Sequence, residues 1–191
     1  MKKVLMGFGV LIVAVILFLW WGSTVEAPQS DDAVAGNTTT EKYRQNFTSD
    51  KGNFSIYFED TPGYSLGALT LENGDWFPTH TYQYQDAKNS VWQIFYTEYP
   101  VSADLETDPT NSMLATIKGT EKEMGGKIVS TTVTEYMGFP AVDYEIYLEA
   151  EKRLFKGRNI LNGRKLYAVV FIHDEDEKVE YMNFFDSLLI K

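Results

Sequence analysis

KRLFKGRNILNGRKLYAVVFI, residues 152–172, is the stretch from which the fold can be read. Asn162-Gly163 divides it, and both residues accept the positive φ that a two-residue hairpin turn requires, so Lys152 to Leu161 and Arg164 to Ile172 are predicted as paired antiparallel strands. The second run ends in Ala168 to Ile172, apolar at every position. Such a strand is covered on both faces, which predicts a sheet with packed structure on either side of it.

Upstream of this hairpin, Ile128 to Glu135 and Ala141 to Glu149 flank a turn at Met137-Gly138-Phe139-Pro140. In the second of these runs Val142, Tyr144, Ile146 and Leu148 alternate with Asp143, Glu145, Tyr147 and Glu149, the period of a strand with one face in a core. Thr79 to Gln85 and Val91 to Glu98, joined by the polar residues 86–90, read as another hairpin. Asn53 to Glu59 alternates Phe54, Ile56 and Phe58 with polar neighbours until Asp60-Thr61-Pro62-Gly63 stops it. Between the two strand groups lies a helix with Asp108 as cap, Pro109 in the first position, Met113, Leu114, Ile117 and Met124 inward, and Gly125-Gly126 as its stop. A second helix is expected from Glu175 to Leu189, capped by Asp174, with Val179, Met182, Phe185 and Leu189 on one face.

The fold class expected is therefore α+β, an antiparallel sheet of about six or seven strands with helices packed on it, preceded by one N-terminal transmembrane helix. Val4 to Trp21 holds no charged side chain, and at 1.5 Å per residue its roughly 18 residues reach about 27 Å, close to the hydrocarbon thickness of a bilayer. Lys2 and Lys3 precede it, whereas Glu26, Asp31 and Asp32 come before the first basic residue after it, Lys42, so the positive-inside rule leaves the N-terminus cytoplasmic. A cleavable leader cut after Val25-Glu26-Ala27 is the competing reading; the length of the apolar run and Pro28 just past the cut favour an anchor. The organisation expected is a cytoplasmic stub and anchor over residues 1–22, a flexible Ser/Thr/Gly/Asp-rich linker over 23–42, and an extracytoplasmic domain over 43–191.

The chain has no cysteine, which excludes disulfides, thiolate metal sites and cysteine nucleophiles. Its net charge is −10, and with Lys2 and Lys3 on the inner side the exported part carries 15 basic against 27 acidic residues, a net of −12. A surface of that sign repels nucleic acid phosphate and anionic lipid headgroups. The motifs of common chemistries are missing: no Gly-x-Ser-x-Gly elbow, no phosphate-binding glycine loop, and no zinc spacing around the two histidines, His80 and His173. A lone strand histidine is more often packed than ligating. The acids from Asp174 to Glu177 lack the glycine-centred calcium loop pattern and serve equally well as the first turn of a helix.

Aromatics are the remaining signal. Tyr82, Tyr84, Trp92, Phe95, Tyr96 and Tyr99 fall on a hairpin, where a sheet core explains them. Trp76 and Phe77 fall in an irregular segment between Asp75 and Pro78, and as loop aromatics they are the candidates for contact with a partner.

Gly52-Asn53-Phe54-Ser55-Ile56, Met137-Gly138-Phe139-Pro140-Ala141, Gly163-Arg164-Lys165-Leu166-Tyr167 and Phe184-Phe185-Asp186-Ser187-Leu188, in that order, carry a resemblance to the PsbP-like α/β fold. That fold is shared by the lumenal extrinsic protein of photosystem II, by a Ran-GTPase-binding release factor and by many exported bacterial domains. The resemblance spans nearly all of the exported part and implies binding to proteins, with no family site that maps onto residues here; the anchor departs from the soluble members. The function expected is a membrane-tethered extracytoplasmic protein-interaction domain without catalysis, cofactor or metal. The alternative is a cell-envelope enzyme or glycan-binding module that uses carboxylates and aromatics in a cleft.

Overall fold

A computed structural model of the chain describes residues 46–191 apart from 71–75, 102, 104, 106 and 177–179. The expected anchor and linker lie outside the described residues. Among the described residues no helix is long and apolar enough to cross a membrane.

The described residues form ten strands and two helices in the order β1 (Phe47–Ser49), β2 (Phe54–Ile56), β3 (Gly63–Thr70), β4 (Trp76–Gln85), β5 (Val91–Glu98), α1 (Pro109–Met124), β6 (Lys127–Tyr136), β7 (Phe139–Leu148), β8 (Arg153–Asn162), β9 (Lys165–Asp174), α2 (Met182–Asp186) and β10 (Leu189–Ile190). Seven of them form one sheet in the order β3-β4-β5-β9-β8-β7-β6, with every neighbouring pair antiparallel. The expected hairpin is present with its turn one residue later: Gly163 at φ 58 and Arg164 make the turn, closed by Asn162 and Lys165, and Asn162 stays in β8. β9 is the middle strand, its residues 166–173 all buried. A continuously apolar run occupies the position that the sequence reading assigned to it.

The first helix also forms from its own signals. Asp108 accepts from the Asn111 N–H at 3.0 Å, Pro109 opens the helix, and Gly125 closes it in the left-handed region at φ 62. Met113 and Ile117 point from α1 into an aliphatic core with Val142, Ile146 and Leu148 of β7 and Leu166, Ala168, Val170 and Ile172 of β9. Tyr144 lies on this face over Gly157 of the next strand, where any Cβ would meet its ring, so the glycine at that register position is dictated by packing.

The other face is covered by a three-stranded sheet, β1-β2-β10, together with α2. Phe54, Ile56 and Phe58 from one end of the domain and Phe184, Phe185, Leu188 and Ile190 from the other close over Tyr82, Ile94, Tyr96, Tyr167, Val169 and Phe171. The Asn46 amide donates to the Phe58 carbonyl at 2.6 Å and accepts the Phe58 N–H at 2.9 Å, which pins the entry to β1. At the far end the Lys191 N–H donates to the Asn53 carbonyl at 2.8 Å.

Three expectations are corrected. Of the helix expected from Glu175 to Leu189, the described residues form five, Met182–Asp186, because Asp174 stays in β9 opposite Arg153 and the Glu175 N–H continues the ladder to the Lys152 carbonyl; Val179 lies outside the described residues. The entry residue of the helix is Tyr181, not Asp174, and Leu189 belongs to a strand. The first run contracts to β2, buried at all three positions because it lies between β1 and β10 and beneath its own side chains. Finally, residues 63–70, to which the sequence reading gives no element, are strand β3, and Trp76 to Pro78, read as irregular, open strand β4.

Candidate functional site

Trp76 and Phe77 are therefore not loop residues. Both lie in β4, where Trp76 is paired with Thr70 and Phe77 with Leu69, and the alternation of a strand sends them to opposite faces. Phe77 is buried in the aliphatic core, 4.9 Å from the Tyr99 ring, while Trp76 is 70% exposed. The structure separates the two residues that the sequence reading had grouped.

Trp76 does not stand alone. On its face of β4, alternate positions carry Pro78, His80 and Tyr82, and the register with β3 places Ala68 opposite Pro78, Leu66 opposite His80 and Tyr64 opposite Tyr82. Tyr82 is buried under β1 and β2, but the cover ends there: Ala68 and Pro78 are exposed and Leu66 is 62% exposed. The result is an apolar strip two strands wide. Its partners on β3 were hidden in the sequence, where Tyr64, Leu66 and Ala68 alternate but are diluted by Gly63 and Gly67.

His80 marks the border between the covered and uncovered parts. Its ring stacks between Tyr64 and Tyr96, with centroids 6.1 and 5.6 Å away, and Nδ1 lies 2.9 Å from the Tyr64 hydroxyl. Burial, then the charge of Lys51, lowers its pKa. Beneath it the Tyr167 hydroxyl donates to the Gly52 carbonyl at 2.8 Å, and burial with the neighbouring Tyr96 and Glu98 pushes its pKa up to about 12. His80 is thus a packed, neutral-leaning side chain held by hydroxyls and rings. His173 is likewise packed, stacked on Phe171 at 4.9 Å, with Nδ1 2.8 Å from the Asp174 carbonyl. Among the described residues no group of three or more potential ligands converges on a metal position.

A second feature is a cavity of about 80 Å³ between β7, β8 and α2, lined by Asp143, Glu145, Lys156, Tyr181, Met182 and Phe185. Its carboxylates are engaged. Arg158, itself buried, donates to both oxygens of Asp143 at 2.7 and 3.0 Å and to Asp186 at 3.0 Å, while Lys156 lies 3.2 Å from Glu145. Burial works against the Arg158 charge, but the bonds to Asp143 and then Asp186 outweigh it and hold its pKa above the ordinary arginine value. Arg158 also lies over the Tyr136 ring at 5.0 Å, and Lys156 over Tyr181 at 4.7 Å. Through Arg158, the carboxylates Asp143 and Asp186 tie β7, β8 and α2 together.

An antiparallel seven-stranded sheet with the mid-chain helix α1 on one face and a small sheet with the short terminal helix on the other defines the class of the domain, the PsbP-like fold. The chain is similar to the solution structure of cyanobacterial PsbP (CyanoP) from Synechocystis sp. PCC 6803, with a TM-score of 0.52 over 83% of this chain and 98% of that one. The two share 11% of their residues, so the likeness is one of fold. No family model and no curated protein sequence matches the chain.

Proposed function

We propose that this chain is a membrane-tethered, extracytoplasmic domain that binds a protein partner through the β3–β4 strip and carries out no chemistry of its own. The observation behind this reading is the exposed strip, in which Leu66, Ala68, Trp76 and Pro78 share one face of β3 and β4 beyond the cover that β1 and β2 give Tyr82. Exposed apolar residues gathered in register, with a tryptophan among them, are what interfaces use for anchoring. The pairing of Asp143, Glu145 and Asp186 with cations supports binding over catalysis, since an envelope enzyme in the β7–β8 cavity needs a carboxylate free to exchange a proton.

The strip and the core are separable by mutation. Trp76→Ala should weaken capture of the partner from the protein's own membranes while the melting temperature stays within a few degrees, because an exposed side chain contributes about 0.5 kcal/mol or less to stability. Phe77→Ala should instead cost about 3–5 kcal/mol, measured by denaturant unfolding. Equal melting losses for the two variants would end the interaction reading of Trp76. The topology is tested by protease added to intact cells or spheroplasts, which should digest the domain and spare the N-terminal stub; a protected domain would overturn it.

A further inference from the structure

β6 forms one edge of the seven-stranded sheet, ten residues long and exposed at eight of them on both faces. Natural sheets protect such an edge with proline, inward charges or a covering loop. Here the run from Ile128 to Thr134 contains none of those residues, and its one irregularity, between Ile128 and Ser130, leaves the ladder from Ser130 to Tyr136 regular. We propose that β6 pairs with β6 of a second copy of this chain, antiparallel about a two-fold axis through Val133, joining two seven-stranded sheets edge to edge.

The hairpin geometry sets which backbone groups are available. Met137 at φ 52 and Gly138 at φ 83 make a two-residue turn closed by Tyr136 and Phe139, and the pair that closes such a turn exchanges both of its hydrogen bonds. Alternation then commits Tyr136, Thr134, Thr132 and Ser130 to β7 and turns the N–H and C=O groups of Thr131, Val133 and Glu135 outward. A two-fold axis through Val133 matches those three with themselves: Val133 with Val133, Thr131 with Glu135, and Glu135 with Thr131. No like charges meet.

The side chains select the same axis independently. Val129, Val133 and Met137 are 59%, 60% and 47% exposed, and they are spaced four residues apart with Val133 at the centre. The axis that pairs the backbone therefore brings Val133 onto Val133 and places Val129 of each copy beside Met137 of the other, so exposed apolar residues of one copy meet those of the other. An isologous interface needs this self-complementarity, whereas a strand of a different protein would gain nothing from the symmetry.

The chain contains no cysteine, so single cysteines in the full-length protein report contacts directly. Val133→Cys, treated with a short bismaleimide in the membranes of expressing cells, should give a product of twice the chain mass. Its yield should exceed that of Val101→Cys, at a more exposed site outside both β6 and the β3–β4 strip, by about tenfold, because pairing raises the local concentration of one cysteine at the other. Coexpressed Val129→Cys and Met137→Cys chains should cross-link to each other, and adding Val133→Lys, which puts two ammonium groups at the axis of an exposed position, should abolish that product. Equal yields from Val133→Cys and Val101→Cys, survival of the cross-link in the lysine variant, or a product containing another protein in place of the second copy would each overturn the proposal.

Discussion

On one face of the large sheet a single sixteen-residue helix, α1, lies over aliphatic side chains; on the other, four elements of five residues or fewer lie over aromatic ones. The helix comes from the middle of the domain and carries its own start and stop. The opposite cover joins segments far apart in sequence, as in the bond from the Tyr57 N–H to the Ser187 hydroxyl, 130 residues away. Bringing such segments together costs loop-closure entropy, and elements so short add few backbone bonds to offset it. Large rings do so instead, each burying about 150–250 Å². Side-chain size on the second face stands in for element length on the first.

The largest test of this contrast is Phe54→Ala. Phe54 is fully buried, 5.9 Å from the Tyr82 ring and 6.1 Å from that of Tyr167, and its loss should cost about 3–5 kcal/mol in equilibrium unfolding. Amide hydrogen exchange should then show β10 opening well before α1. Simultaneous exchange in both would mean that the two covers form one cooperative unit and the contrast has no energetic content. A smaller effect sharpens the other side: Asp108→Ala removes the cap of α1 and should cost about 1 kcal/mol, with faster exchange confined to the first turn of the helix. The smallest effect concerns pH. Because the folded protein holds the His80 pKa below its ordinary value of 6.5, the unfolded chain binds the proton more readily, so the stability linked to His80 is complete above that value and declines as the pH falls below it. His80→Gln should flatten the melting-temperature profile between about pH 4 and 7, and an unchanged slope would remove His80 from the account.

The contrast also explains what the sequence revealed. The elements read correctly, α1, β9 and the hairpin that joins β8 to β9, are those whose signals are local: a cap and a glycine stop, an unbroken apolar run, a turn glycine, although the turn itself is Gly163-Arg164 and not Asn162-Gly163. The misread ones are held by distant partners. Acids at Glu175 to Glu177 imitate a helix start, but Asp174 is retained in the sheet by its ladder with Arg153 and a 3.3 Å ion pair to the same residue. β3 escaped notice because Gly63, Gly67 and Ala68 give little alternation, and only its pairing with β4 makes it a strand. Pro78 made Trp76 and Phe77 look like loop residues. It is held within β4, where its carbonyl accepts the Thr97 hydroxyl at 2.8 Å. The interaction candidate was thus half legible: the sequence marked the aromatic pair, and only the pairing register tells which member faces outward and that Leu66 and Ala68 share its face.

The pinning of β1 by Asn46 has a mechanical meaning. A pull on the chain ahead of Asn46 meets first the two bonds between that side chain and the Phe58 backbone, then the pairs Phe47 to Ile56, Thr48 to Ser55 and Ser49 to Phe54, loaded in turn from the open end. Bonds loaded one after another yield at low force, whereas a ladder sheared as a whole resists together. β1 is therefore the first element that such a pull detaches, lengthening the connection by a few residues before the pairs of the seven-stranded sheet begin to part.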